Sequence, residues 1–315
     1  MFLQIRILPL IPEDQRRLTM TAQEIDQRIY DLYDEYCHSG MDRRTFLQRA
    51  SKITIAGVSG LVMAQALLPR YAEAQTISFT DKRIKATYVD YSSPGGTSGE
   101  MRGYLVTPTT DGPHPAVLVI HENRGLNPYI EDVARRFAAE GFLALAPDGL
   151  SPVGGYPGND DDGKILQKSL EQSKLKQDFL NSASFLKDHE SSNGKLGATG
   201  FCWGGGTTNF LAVEMGDDLK AGAPFYGAAP KGDDAVARIT APLYIHSAED
   251  DKRINAMWPD FETALKANGK GYERFVYEGT RHGFHNNSTP RYNEGAAATA
   301  WERTVKLFNE TIRTG

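Results

Sequence analysis

Apolar and polar positions fall into a repeating succession from residue 83 onward. Arg83–Tyr91 and Met101–Thr107 carry the two-residue alternation of half-buried strands, clearest in Ile84-Lys85-Ala86-Thr87-Tyr88-Val89. Pro94-Gly95-Gly96 between them supplies turn residues, so an opening hairpin is expected. Ala116–His121 begins as an unbroken apolar run, the pattern of a strand buried on both faces. Tyr129–Glu140 places Ile130, Val133, Ala134 and Phe137 on one helical face and stops at Gly141. Phe142–Ala146 is the next strand, ended by Pro147-Asp148. Further on, strands are expected at Leu196–Thr199, Ala221–Tyr226, Leu243–Ser247 and Glu273–Tyr277. Helices are expected at Asp162–Lys187, Trp203–Met215, Met257–Asn268 and Glu294–Thr311. This alternation predicts an α/β fold, a mostly parallel central sheet with helices on both faces. No fixed-period repeat or low-complexity tract interrupts it.

The N-terminal part reads differently. Residues 1–40 read as a helical lead, with Ile25, Ile29, Leu32 and Tyr33 at helical spacing in Ala22–Tyr36. Residues 41–74 read as a twin-arginine export signal. Arg43-Arg44 stands in Asp42-Arg43-Arg44-Thr45-Phe46-Leu47, the apolar stretch Ile53–Leu68 follows, and Ala72-Glu73-Ala74 offers a cut before Gln75. The apolar stretch is too short and interrupted for a stable membrane span. The competing reading is an N-terminal helix that merely contains two arginines. The long lead favours that reading unless translation starts at Met20. The expected organisation is therefore a leader and a catalytic domain over 75–315. The implied partner is the export machinery and the implied place is the periplasm or outside, with the cytoplasm as the alternative.

Composition narrows the classes. The chain is 40% hydrophobic and 24% charged with a net charge of -5, and no basic run interleaves with aromatics, so no nucleic-acid partner is expected. Its two cysteines, Cys37 and Cys202, are too few for a disulfide framework, and no second cysteine near Cys202 suggests a metal-thiolate site. No metal or organic cofactor is implied. The acidic run Asn159-Asp160-Asp161-Asp162 reads as a solvated loop and helix N-cap, since the downstream glutamate of a calcium loop is missing.

The chemistry centres on Gly200-Phe201-Cys202-Trp203-Gly204, between a predicted strand and a predicted helix. A nucleophile elbow needs this context: flanking glycines admit a sharp turn, and the helix N-terminus behind the thiol favours thiolate. The amide of Trp203 is the natural first oxyanion donor. A buried structural cysteine is the alternative for the motif alone. Asp251 and then His282 follow at predicted strand ends, in the order nucleophile, acid, histidine. His282 would shuttle the thiol proton and Asp251 would orient the ring. Asp250 and Glu249 adjoin Asp251 as rival carboxylates; His246 and His285 read as structural or substrate-edge residues.

These residues resemble the dienelactone hydrolase family of the α/β-hydrolase fold, over roughly Met101–Thr311. The resemblance rests on Val119-Ile120-His121-Glu122-Asn123-Arg124-Gly125-Leu126-Asn127, Ala139-Glu140-Gly141-Phe142, Ala146-Pro147-Asp148, the cysteine elbow, Ser247-Ala248-Glu249-Asp250-Asp251 and His282-Gly283-Phe284. It implies that Glu122 holds or deprotonates the thiol and that the amide of Asn123 completes the oxyanion hole. From the residues alone, Glu122 closes a buried strand and should have a partner, such as Arg124 or the thiol. The chain departs from the family where the founding enzymes bind a substrate carboxylate with arginine, four residues after the catalytic histidine: Asn286 stands there. Arg124, Arg281, Arg291, Lys164 or Lys168 would have to substitute. The expected function is cleavage of a small ester or lactone through an acyl-cysteine. The alternatives are a broader carboxylesterase or thioesterase, or a non-catalytic binding protein.

Overall fold

A computed structural model describes residues 25–39, 41–55 and 58–313, and its contacts divide the chain into two units, Met1–Pro69 and Arg70–Gly315. The division falls at Arg70, ahead of the Gln75 boundary read from the sequence, because the residues just after it bond to the second unit.

In the first unit three helices are described, Gln27–His38, Arg43–Ser51 and Gly60–Ala66, with Asp26, Asp42 and Ser59 capping their first amides. The apolar face of the first carries Ile29 and Tyr33, which share a cluster with Phe46, Ala50, Met63 and Leu67. The predicted helix start at Ala22 lies outside the described residues. The apolar stretch Ile53–Leu68 is no continuous helix: the short antiparallel strands Thr54–Ile55 and Val58–Ser59 precede Gly60–Ala66. Among the described residues, no helix is long and apolar enough to cross a membrane.

The second unit realises the predicted alternation. Its strands are β1 (Ile84–Ser93), β2 (Gly99–Pro108), β3 (His114–Ile120), β4 (Leu143–Pro147), β5 (Ser192–Phe201), β6 (Leu219–Phe225), β7 (Leu243–Asp250) and β8 (Tyr272–Arg281). Its helices are α1 (Pro128–Ala139), α2 (Asp160–Ser169), α3 (Gln172–Lys187), α4 (Trp203–Glu214), α5 (Asp233–Ala237), α6 (Lys252–Asn255), α7 (Trp258–Ala267) and α8 (Glu294–Phe308). The hairpin β1–β2 closes at Ser93–Gly96, where Gly96 N–H donates to Ser93 O at 3.1 Å and Gly95 takes the positive φ of 74° that a Pro-Gly turn requires.

The strands lie side by side in the order β1-β2-β4-β3-β5-β6-β7-β8. β2 pairs antiparallel with both neighbours, and every pairing from β4 to β8 is parallel. Alternate residues of β3 face opposite cores. Val117 and Val119 meet α1 and α8; Ala116, Leu118 and Ile120 meet α3 and α4. Because β3 lies between β4 and β5, the winding direction reverses there. The carboxyl ends of β3 and β5 flank that reversal, the usual place for a ligand in an open sheet. Glu122 follows β3 and Cys202 follows β5.

Candidate active site

Cys202 occupies a strained turn of its own. Its backbone is at φ 57°, ψ −112°, a conformation that costs a non-glycine residue on the order of 1–3 kcal/mol. The turn is held by Cys202 N–H to Phe225 O at 3.1 Å and Gly206 N–H to Cys202 O at 3.1 Å. The neighbouring glycines serve close approach, not the turn itself. A Cβ on Gly200 would stand 2.3 Å from Gly204 O, and one on Gly204 would stand 2.4 Å from Ile120 O. So α4 presses directly on the ends of β3 and β5, with the thiol at its N-terminus. Trp203 opens the helix, and its amide is one that no intrahelical carbonyl takes.

His282 follows β8 and Asp251 follows β7. His282 Nδ1 lies 2.6 Å from Asp251 Oδ2, with both side chains buried. Cys202 Sγ lies within 4.8 Å of a ring nitrogen of His282. Asp251 Oδ1 also accepts Ile254 N–H at 3.2 Å, which fixes the carboxylate at the start of α6. Burial works against charge on both groups, but their mutual attraction and hydrogen bonding outweigh it. Asp251 is held below the usual carboxylate range. The proton on His282 is likewise favoured, with the charge of Cys202 the largest favourable contribution. The rival carboxylates are engaged elsewhere: Asp250 Oδ2 lies 3.4 Å from Arg281 Nε, and Glu249 Oε2 accepts Gly279 N–H at 2.8 Å.

Glu122 is buried, and burial pushes its carboxyl upward against the pull of Arg124 and Arg291. The charge of Cys202 pushes the same way as burial, as expected of two acids that compete for one proton. Asn286 Nδ2 donates weakly to Glu122 Oε2 at 3.5 Å. Asn123 comes next in the chain, in the turn that follows β3.

His121, which the sequence reading did not single out, holds the backbone beside Glu122. Its Nε2 accepts Gly149 N–H at 3.0 Å, so the hydrogen is on Nδ1, which donates to Glu122 O at 2.6 Å. Its ring stacks on Trp203 at 5.6 Å and 15°, so the segment after β3 touches the start of α4. The sequence signal was its place between an apolar strand and Glu122.

The three candidate arginines separate. Arg124 is buried in an ion pair with Asp160 at 2.8 Å, so the acidic run at 159–162 is not wholly solvated; Asn159 does cap α2. Arg281 turns toward Asp250 and is part-exposed. Arg291 is buried beside the His282 loop, where a Cβ on Gly283 would stand 2.9 Å from its Nη2, and its charge bears on Glu122.

His246 and His285 have no place among these groups. His246 Nε2 lies 3.0 Å from Thr304 Oγ1, which gives its own hydrogen to Ala300 O at 2.9 Å. His246 therefore donates through Nε2 and accepts Tyr277 O–H at Nδ1 at 2.8 Å, and burial pushes it down to about 3. His285 Nδ1 pairs with Tyr129 Oη at 2.6 Å, and burial disfavours its charged form as well. A cavity of about 550 Å³ at the β1–β2 edge, lined by Tyr88, Glu100, Arg102, Asp148 and Tyr156, does not include Cys202, Asp251 or His282.

A parallel sheet with one antiparallel strand near its edge, a strained cysteine after β5, and an acid and a histidine after β7 and β8 define an α/β-hydrolase. Residues 101–312 match the model of the dienelactone hydrolase family, and residues 17–54 match a model described as YqhI-like. The chain is 58% identical over 115 residues to a hydrolase fragment of Escherichia coli K12, covering 36% of this chain and 97% of that one. It is 32% identical over 224 residues to a Bradyrhizobium protein named as a probable 2-oxo-3-(5-oxofuran-2-ylidene)propanoate lactonase, covering 67% and 90%. Among solved structures, a dienelactone hydrolase-like promiscuous phosphotriesterase from metagenomic libraries superposes with a TM-score of 0.63. The two are 25% identical, over 73% of this chain and 99% of that one. The chain belongs to the dienelactone hydrolase family and is a hydrolase acting on ester bonds.

Proposed function

We propose that this chain cleaves a small ester or lactone through an acyl-cysteine intermediate. The observation that carries the reading is the 2.6 Å contact of His282 Nδ1 with Asp251, with the thiol of Cys202 beside the same ring. In this reading His282 takes the thiol proton as sulfur attacks the carbonyl carbon. The amides of Trp203 and Asn123 hold the oxyanion. The carbon–oxygen bond then breaks, and the imidazolium returns the proton to the leaving oxygen, which stays on the same molecule when the substrate is a lactone. Water, deprotonated by His282, attacks the thioester, releases the acid and restores the thiol. Glu122 tunes the thiol. The lactonase name of the Bradyrhizobium relative supports a lactone among the substrates.

The test is turnover by the purified full chain on lactones, short aryl esters and acyl thioesters. Turnover of an ester or lactone is expected. An inert protein whose Cys202 still takes an alkylating label would point instead to a binding protein.

Export through the twin-arginine route is a further part of the proposal, supported by the exposure of Arg43 and Arg44 at the start of their helix. Replacing both with lysine is expected to shift the protein from the exported to the cytoplasmic fraction. Unchanged fractionation would sink that part.

A further inference from the structure

Arg70–Ile77 precedes β1 and is hooked to the rest of the unit at three points. Arg70 N–H donates to Ser288 O at 2.7 Å. Ala74 O accepts from Asn287 Nδ2 at 2.7 Å. The amides of Thr76 and Ile77 donate to Asp132 Oδ1 on α1 at 2.9 and 2.8 Å. Between the hooks, Tyr71 reaches inward. Its Oη lies 2.8 Å from each carboxylate oxygen of Asp160 and accepts from Asn127 Nδ2 at 2.9 Å. Asp160 also accepts from Tyr156 at 2.9 Å and from Arg124 at 2.8 Å.

Two links run from this segment toward Glu122, the first ending in charge and the second in a hydrogen bond. One passes from Tyr71 through Asp160 to Arg124, and the charges of both Asp160 and Arg124 bear on Glu122. The other passes from Arg70 through Ser288, whose amide and hydroxyl donate to Asn286 Oδ1 at 3.0 and 2.6 Å, to the Asn286 amide that faces Glu122.

We propose that Arg70–Ile77 is a strap of the active site, in which Tyr71 is a positioning residue that sets how Arg124 is shared between Asp160 and Glu122. The inference rests on the reading of Glu122 as the group that tunes Cys202. Two carboxylates compete for one guanidinium in a buried setting, where each charge needs a partner. The Tyr71 hydroxyl satisfies part of Asp160 and leaves more of Arg124 to Glu122. Without that hydroxyl Asp160 draws harder on Arg124, and the protonated form of Glu122 gains. A cut before Gln75 would remove both Arg70 and Tyr71, so it would alter the site as well as detach a leader.

The test is the pH dependence of Cys202 alkylation by iodoacetamide in the full chain, read at the Cys202 peptide by mass spectrometry. Glu122→Gln identifies the inflection that belongs to Glu122 by abolishing it. In Tyr71→Phe that inflection moves to higher pH, by about half a unit, or about threefold in rate below it, and kcat falls more than KM changes. In Asp160→Asn, which removes the competitor, it moves to lower pH. A loss of packing alone would not give opposite signs. A Tyr71→Phe profile that overlays the wild type, or two variants that move the same way, overturns the inference while leaving Glu122 its role. A Glu122→Gln profile identical to the wild type overturns both.

Discussion

Cys202→Ala is expected to lower kcat on an accepted ester by about 10⁴-fold or more, the scale on which removing a covalent nucleophile acts in a triad. The substitution removes one sulfur atom from a turn whose other constraints remain. Gly200, Gly204 and Gly205 still let α4 close on β3, β5 and β6, and the amide of residue 202 still reaches Phe225 O. Alanine meets the same positive φ as cysteine, so the fold's stability should change little. Cys202→Ser keeps an atom that His282 can deprotonate and should retain more activity than alanine. It should still fall well below the wild type, because the helix N-terminus and the imidazolium stabilise a thiolate far more readily than an alkoxide. Activity surviving in Cys202→Ala at wild-type level would remove the acyl-cysteine from the account.

Asp251→Asn should cost between about 10²- and 10⁴-fold in kcat with little change in KM. Asp251 faces the far nitrogen of His282 at 2.6 Å and is buried behind the ring, away from the carbonyl under attack. An asparagine offers either an N–H, which forces the ring into the wrong tautomer, or a neutral oxygen, which no longer steadies the imidazolium. With the N–H toward the ring, the amide oxygen takes the place of Oδ1 and keeps the cap on Ile254. A thermal midpoint near that of the wild type would assign the loss to chemistry. Asp250→Asn is the matched control, because its partner is Arg281 and not the histidine. Equal losses in the two variants would mean that the acid has been misassigned.

What could be read in the sequence was what short-range pattern controls. The alternation in β1, the apolar runs of β3 and β6 and the helical face of α1 gave the layers, because burial on one or two faces leaves a period in the chain. The elbow was legible for the same reason, since its residues are contiguous. The break between α2 and α3 was not. Leu170 turns extended there without a glycine or proline to mark it, and the loop is held by Gln172 bonding back to Gln167 and Leu170. β5, β7 and β8 also run longer than their apolar centres, because parallel neighbours extend strands through polar residues such as Glu249 and Arg281.

The site divides along the same line. Cys202, Asp251 and His282 were marked by position relative to strand ends. Arg124 was marked as a partner for Glu122 or for a substrate carboxylate, whereas its observed partner Asp160 and the residue Tyr71 lie far off in sequence. No local pattern announces such a pair, and the acidic run containing Asp160 looked like ordinary solvated surface. His121 shows the intermediate case. It stands inside a recognisable segment, yet its hydrogen bonds to Glu122 O and Gly149 N–H depend on the closing of β3 against β4.

The acyl-cysteine itself is tested by intact-mass and peptide mass spectrometry of the full chain, quenched in acid during turnover of an activated aryl ester. Asp251→Asn serves beside the wild type to slow deacylation. A mass increase equal to the acyl group is expected, located on the peptide that carries Cys202 and absent from Cys202→Ala. Turnover accompanied by an acyl group on another residue, or by none on Cys202 while the burst of product shows that an acyl-enzyme has formed, would contradict it.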